Sequence, residues 1–469
     1  MTVADLWTIM PLLLIACGSV LVLLLGAVVP GRYLTGVAVA TCLGAALWAL
    51  QVPAVAALPQ LGVALTPLAR LFTVVFALAA SVTLLLSHDF NERRGIRGEE
   101  YPATILFALF GMSVLAAAST LLTLFLGLEA LTFAFYILVA MDKGSDRGAE
   151  AGLKYLLLGA ISAAFIAFGI ALIYAATGTL EIVPAMAGAA RGIAGVPLAL
   201  AGWGLILAGA AFKMSLVPAH LWTPDVYQGG PPPVVAFLST GSKGAAVLFL
   251  ITLLRPAGLI PALHGPLWWL ALLSMTVGNL AALRQQSIKR LLAYSSIAQM
   301  GYVTLALLTG SREGYGAAAF YVVLYTAMNL VAFGAVASLS GRDDLETIEE
   351  YRGLGYGRPF TAGVLALALF ALAGIPPTGG FMGKFFIFAA ALRGGEPLLA
   401  VLGILTAVVS VYFYLRVVVN LYLHSVTAEI TANRPTSVEI VPLVVASLVI
   451  MLLGIYPGPL MAIIEAALF

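Results

Sequence analysis

Apolar positions in this chain neither alternate nor keep to one face; they run on without interruption. Fourteen mostly apolar stretches are long enough to cross a hydrocarbon core of about 30 Å. They lie near residues 9–29, 33–51, 68–87, 102–117, 119–140, 151–176, 198–219, 232–254, 267–283, 288–309, 316–340, 361–391, 398–423 and 439–458. Polar residues gather in the short segments between them. The pattern predicts an all-α membrane protein of about fourteen transmembrane helices. The twelfth run is too long for one plain helix and contains Gly374-Ile375-Pro376-Pro377 and Gly379-Gly380. The seventh carries Pro218 near its end. Both read as broken helices.

Composition agrees. Of 469 residues, 62% are hydrophobic and 9% charged, and the mean hydropathy is +1.07. Such a chain cannot cover a soluble surface of its size. Two cysteines, Cys17 and Cys42, lie in apolar runs, which excludes a disulfide scaffold and any iron–sulfur or Cys-type zinc site. No metal site is expected, since no His pair has ligand spacing. With 23 Lys and Arg against 21 Asp and Glu, there is no basic block for nucleic acid. Met1 to Leu6 holds Asp5 and no Lys or Arg, so the first run is expected to be a retained helix, not a cleaved signal.

Charge also orients the chain. With the N-terminus outside, the cytoplasmic segments hold Arg32, Arg93, Arg94, Arg97, Lys143, Arg147, Arg284, Lys289, Arg290, Arg342, Arg352, Arg358 and Arg434. The outer segments hold Arg70, Arg191, Arg255, Arg312 and Arg393. This asymmetry, with an even span count, predicts both termini outside; the absence of a targeting peptide fits a bacterial inner membrane, where that side is the periplasm.

An internal repeat is visible. Ala167-Phe168-Gly169-Ile170-Ala171 is followed 165 residues later by Ala332-Phe333-Gly334-Ala335-Val336. The same offset carries the fourth span onto the ninth and the sixth onto the eleventh. Spans 4–8 and 9–13 therefore read as two five-helix units of opposite topology, with the broken spans at matching places. The expected division is a three-helix segment over 1–101, repeats over 102–254 and 267–423, and a C-terminal helix within 424–469.

Charges inside the spans carry the candidate chemistry, because an ionised side chain at mid-membrane costs roughly 2.5–3.5 kcal/mol on insertion scales. The carboxylate is Glu129; the cations are Lys154, Lys213, Lys243, Lys384 and Arg416. The plain alternative is snorkelling or structural pairing, which suits Arg416 best and is as good as a relay role for Lys154. Glu129, Lys213, Lys243 and Lys384 are too deep for that. A desolvated lysine near a movable carboxylate can hold and release a proton, and a series of lysines on broken helices would form a relay without a cofactor. His88, His264 and His424 read as solvated. His220, just after Pro218, could relay protons or bond freed carbonyls.

The stretch from Phe212 through Lys213, Pro218, His220, Trp222 and Pro224 to Tyr227 resembles the seventh-helix signature of the antiporter-like subunits of respiratory complex I and of multisubunit cation/proton antiporters. Ser287-Ile288-Lys289-Arg290-Leu291-Leu292-Ala293-Tyr294-Ser295-Ser296, Gly374 to Phe385, and Ser410 to Arg416 narrow the resemblance to the N-type subunits of NADH-quinone oxidoreductase. The resemblance implies that protons are translocated through Glu129, its partner Lys213, the modulating Lys154, the connecting Lys243 and the exit-side Lys384. It implies no cofactor here, with FMN, iron–sulfur clusters and quinone in other subunits. It implies neighbouring antiporter-like subunits, lipid, protons and water as partners. The alternative is a subunit of a multisubunit sodium/proton antiporter.

Overall fold

The computed structural model describes residues 3–52, 56–96, 98–192, 197–258, 261–341, 344–424 and 435–469. Arg97, Arg342 and Arg434, used above for orientation, lie outside the described residues, as do the side chains of Arg32 and Arg191 and part of the 424–469 segment.

The expected spans are present. Spans 1–6 are Val3–Gly26, Gly31–Gln51, Pro67–Arg94, Glu100–Ala117, Leu121–Val139 and Asp146–Thr177. Span 7 is broken into Pro197–Met214 and Trp222–Gly229. Spans 8–11 are Pro232–Ala257, Pro261–Leu283, Ile288–Leu308 and Arg312–Leu339. Span 12 is broken into Pro359–Ala373 and Gly379–Arg393. Spans 13 and 14 are Pro397–Leu423 and Ser437–Ile455. Among the described residues thirteen helices are long and apolar enough to cross a membrane alone; span 12, in two shorter pieces, makes the fourteenth. The pattern missed short elements: a hairpin of Ala56–Leu58 with Val63–Leu65, and helices Ile182–Gly192 and Gly458–Leu468.

Segments expected on one side meet one another. At one end Val63 bridges to Ala118 and Thr120 to Glu181, and Arg255 donates to the Leu468 carbonyl at 2.6 Å. At the other, Ser287 bridges to Thr347 and Arg93 pairs with Glu439 at 3.1 Å. Spans therefore alternate in direction.

The repeat reappears as geometry. A Cβ on Gly111 of span 4 would meet the Leu131 nitrogen at 2.4 Å and the Gly127 carbonyl at 2.9 Å. A Cβ on Gly278 of span 9 would meet the Ala298 nitrogen at 2.6 Å and the Tyr294 carbonyl at 2.9 Å. Each residue of the second set lies 167 positions after its counterpart. Only glycine allows these two backbones to touch. Both breaks start with a left-handed residue, Ser215 at φ 63° and Gly374 at φ 87°, and each contains a cis peptidyl-proline bond, Val217–Pro218 and Pro376–Pro377.

Spans 8, 10 and 11 are almost wholly enclosed by the others, whereas spans 1, 2, 6, 9, 13 and 14 turn most of their surface outward. The interior therefore consists of spans from both repeats; Lys243 and Lys289 lie on these enclosed spans.

Candidate functional site

Lys213 lies in the last turn of the first half of span 7, fully buried. Its Nζ donates to Thr132 Oγ1 at 2.9 Å and to Glu129 Oε1 at 3.3 Å. Glu129 and Thr132 are three residues apart on span 5, so one helix face offers both acceptors. Span 7 stops there because the chain turns left-handed at Ser215. The Trp222 indole then donates to the Phe212 carbonyl at 3.0 Å, which also accepts the Ser215 N–H at 2.9 Å where the helix ends.

Lys243 follows a π-helical turn over Leu238–Ser242 in the middle of span 8. Such a turn inserts one residue into the helical register and redirects the side chains after it. The Lys243 ammonium donates to Ser296 Oγ and stands 5.4 Å from the centre of the Tyr227 ring. The Tyr227 hydroxyl is 3.4 Å from the same Ser296 oxygen.

Lys384 lies in the second half of span 12 and turns back onto the first. Its Nζ donates to the carbonyls of Leu372 at 2.8 Å and Ala373 at 3.0 Å. These are end-of-helix carbonyls left free by the break, and a cation there also complements the helix dipole. The Tyr302 ring lies 5.4 Å from the ammonium.

Lys154 stands apart from this interior set. Its side chain is 44% exposed and pairs with Glu150 and Asp225, both at 2.8 Å. Asp225, in the second half of span 7, also takes Arg290 at 2.9 Å. Arg147, Glu150, Lys154, Asp225 and Gln228 line a polar cavity of about 230 Å³ there. His220 sits in the break of span 7, half-buried; among the described residues no hydrogen bond joins it to the charged set. Arg416 donates to the carbonyls of Leu283, at 3.1 Å, and Gln285, capping the end of span 9.

Two sequence readings need correction. Lys289, taken as a loop cation, is buried in the first turn of span 10, where it pairs with Asp344 at 2.7 Å. Glu129 is not the only interior carboxylate: Glu439 is more deeply buried, held by Arg93 and by the Ser338 hydroxyl at 2.8 Å. Both sit near span ends, where charge runs look like solvated caps. The interior polar residues Ser296, Gln299, Tyr321 and Tyr325 were also missed. Their only signal is a polar group recurring within spans 10 and 11.

The residues 118–410 match the family model described as NADH:quinone oxidoreductase/Mrp antiporter, TM. NADH-quinone oxidoreductase subunit N of Geotalea uraniireducens is 65% identical, over all of both chains. The chain belongs to the subunit N family of NADH-quinone oxidoreductase. A chain of respiratory complex I from Thermus thermophilus, solved with bound aureothin, matches with TM-score 0.82 and 35% identity over 96% of this chain and 98% of that one. A chain of the Mrp complex from Dietzia matches with TM-score 0.85 but 20% identity, over 100% of this chain and 97% of that one; that likeness concerns fold. Among the described residues of this subunit N family member, no group of three or more His, Cys, Asp and Glu could hold a metal ion.

Proposed function

We infer that this chain is a proton-translocating membrane subunit of a bacterial respiratory NADH:quinone oxidoreductase. It works within a multisubunit complex in the inner membrane. We assign the proton path to Glu129, Lys213, Lys243 and Lys384, with the repeats over 102–254 and 267–423 each supplying a broken span. Lys154 belongs to the uptake side, through Asp225. His220 is a candidate for the step past the break. Flavin, iron–sulfur clusters and quinone belong to other subunits, so this subunit takes no redox step. Both termini lie on the periplasmic side, and neighbouring antiporter-like subunits cover part of the outward surface.

The observation that carries this reading is the Glu129–Lys213 contact at 3.3 Å beside a broken helix. A buried ammonium is stable while a carboxylate faces it; withdrawing the carboxylate leaves a charge in apolar surroundings and favours loss of the proton. Small movements at the break can therefore gate a proton without a cofactor. A gradient-driven antiporter shares the fold, but the 65% identical relative is an oxidoreductase subunit.

The test is NADH-driven proton pumping in inside-out vesicles carrying Lys213→Ala or Glu129→Ala, with assembly checked on the same membranes. Pumping is expected to fall at least tenfold with assembly intact. Full pumping by both variants would overturn the assignment.

A further inference from the structure

The repeat relation places a neutral residue where the first half has its carboxylate. The 167-residue shift that carries Gly111 onto Gly278 and Leu131 onto Ala298 carries Glu129 onto Ser296. Ser296 indeed receives a lysine, Lys243, as Glu129 receives Lys213. Among the described residues neither Lys243 nor Lys384 has a carboxylate within ion-pair distance. What lies between these two lysines is a pair of neutral rungs. On the first, the Tyr325 hydroxyl donates to Ser296 Oγ at 2.7 Å. On the second, one turn along span 10, the Tyr321 hydroxyl donates to Gln299 Oε1 at 2.5 Å. The Tyr321 and Tyr325 rings stack, with centroids 6.2 Å apart.

Gln299 is fully buried, and its amide nitrogen has a specific target. Nε2 donates to the Leu372 carbonyl at 3.0 Å and to the Tyr414 hydroxyl at 3.3 Å. The Leu372 carbonyl is also the shorter of the two acceptors of the Lys384 ammonium. Gln299 and Lys384 therefore share one backbone oxygen, freed by the break in span 12.

We propose that Gln299 is a positioning residue for Lys384. It fixes the Leu372 carbonyl against which the ammonium rests, and joins that carbonyl to the Tyr321 hydroxyl, whose ring stacks on Tyr325, the partner of Ser296 beside Lys243. A primary amide bears no charge, so Lys384 is oriented without a fixed counter-charge that would hold its proton. When an N–H bond of the ammonium breaks, the nitrogen keeps the electron pair and the proton forms an O–H bond to a water molecule on the exit side. The Leu372 oxygen then still has the Gln299 amide as donor and is not left unpaired in the interior. The inference rests on the assignment of Lys384 to the proton path.

The test uses the assembled complex in inside-out vesicles, with Gln299→Leu, Lys384→Ala and the double variant. Gln299→Leu is expected to lower pumping about threefold or more with assembly intact. In the Lys384→Ala background it should add no further loss, because residues acting through one another are non-additive. Tyr321→Phe keeps the ring and removes the hydrogen bond to Gln299; it is expected to lower pumping in the same direction, and serves if Gln299→Leu does not assemble. Additive losses would mean a packing role and overturn the inference. So would wild-type pumping in Gln299→Leu, or in Tyr321→Phe where only that variant assembles, alongside a defective Lys384→Ala. Full pumping by Lys384→Ala would instead remove the assignment on which the inference rests.

Discussion

The Lys154 ammonium lies 2.8 Å from Asp225 Oδ2, which ties the start of span 6 to the second half of broken span 7. Arg290 holds the other oxygen of the same carboxylate. Asp225→Asn is expected to slow pumping several-fold at unchanged assembly, and Lys154→Met to slow it less. The pair is part-exposed, so screening limits its contribution to stability. Combined, the two changes should cost no more than Asp225→Asn alone. Initial pumping rates of the single and double variants measure this.

Thr132 is the shorter of the two contacts of Lys213. Thr132→Val keeps the side-chain shape and removes the hydroxyl, leaving Glu129 as acceptor. Pumping is expected to fall two- to fivefold, less than in Glu129→Ala. Equal losses in both would mean that the carboxylate has no special part.

Arg416 should behave differently from the lysines. Its guanidinium caps carbonyls at the end of span 9, and hydrogen bonds to charged groups contribute about 1.5–3 kcal/mol. Arg416→Ala is expected to lower the temperature at which the subunit dissociates from the purified complex, while pumping per assembled complex stays near wild type. Comparing thermal dissociation with pumping on one preparation tests it.

Glu439 gives the opposite contrast to Glu129. It is buried against Arg93 and Ser338 in the first turn of span 14. Removing one partner of a buried pair costs about 3–5 kcal/mol. Glu439→Ala is therefore expected to reduce the amount of assembled subunit in the membrane, read by immunoblot after native electrophoresis. Normal assembly would show that Arg93 finds another partner.

The spans were legible because lipid demands long apolar runs, and each of the fourteen has its helix. The breaks were legible too, since proline and glycine interrupt spans 7 and 12. Lys213 stands out in sequence because a lysine amid Ala-Ala-Phe has no water to reach. Partnership was harder to read. Nothing in the sequence places Ser296 against Lys243, because the contact spans 53 residues and depends on how two enclosed helices rotate against each other. Glu439 and Lys289 were hidden for the converse reason: near a span end, a charge looks solvated until the neighbouring helix that covers it is known. Lys154 was left between a relay role and snorkelling or structural pairing; in the fold its part-exposed ammonium pairs with Glu150 and Asp225, and no spacing in the sequence announces the second of these partners.

The glycine contacts of spans 4–5 and 9–10 join neighbours in the chain, whereas the Glu129–Lys213 contact joins residues 84 apart. During synthesis each glycine-locked hairpin can close as soon as its second helix has entered the bilayer. The ion pair must wait for span 7, and the Gln299–Leu372 link for span 12. The hairpins can therefore form before the contacts that join distant spans, so a chain stalled before span 12 would hold a well-packed hairpin in each repeat without the Gln299–Leu372 link.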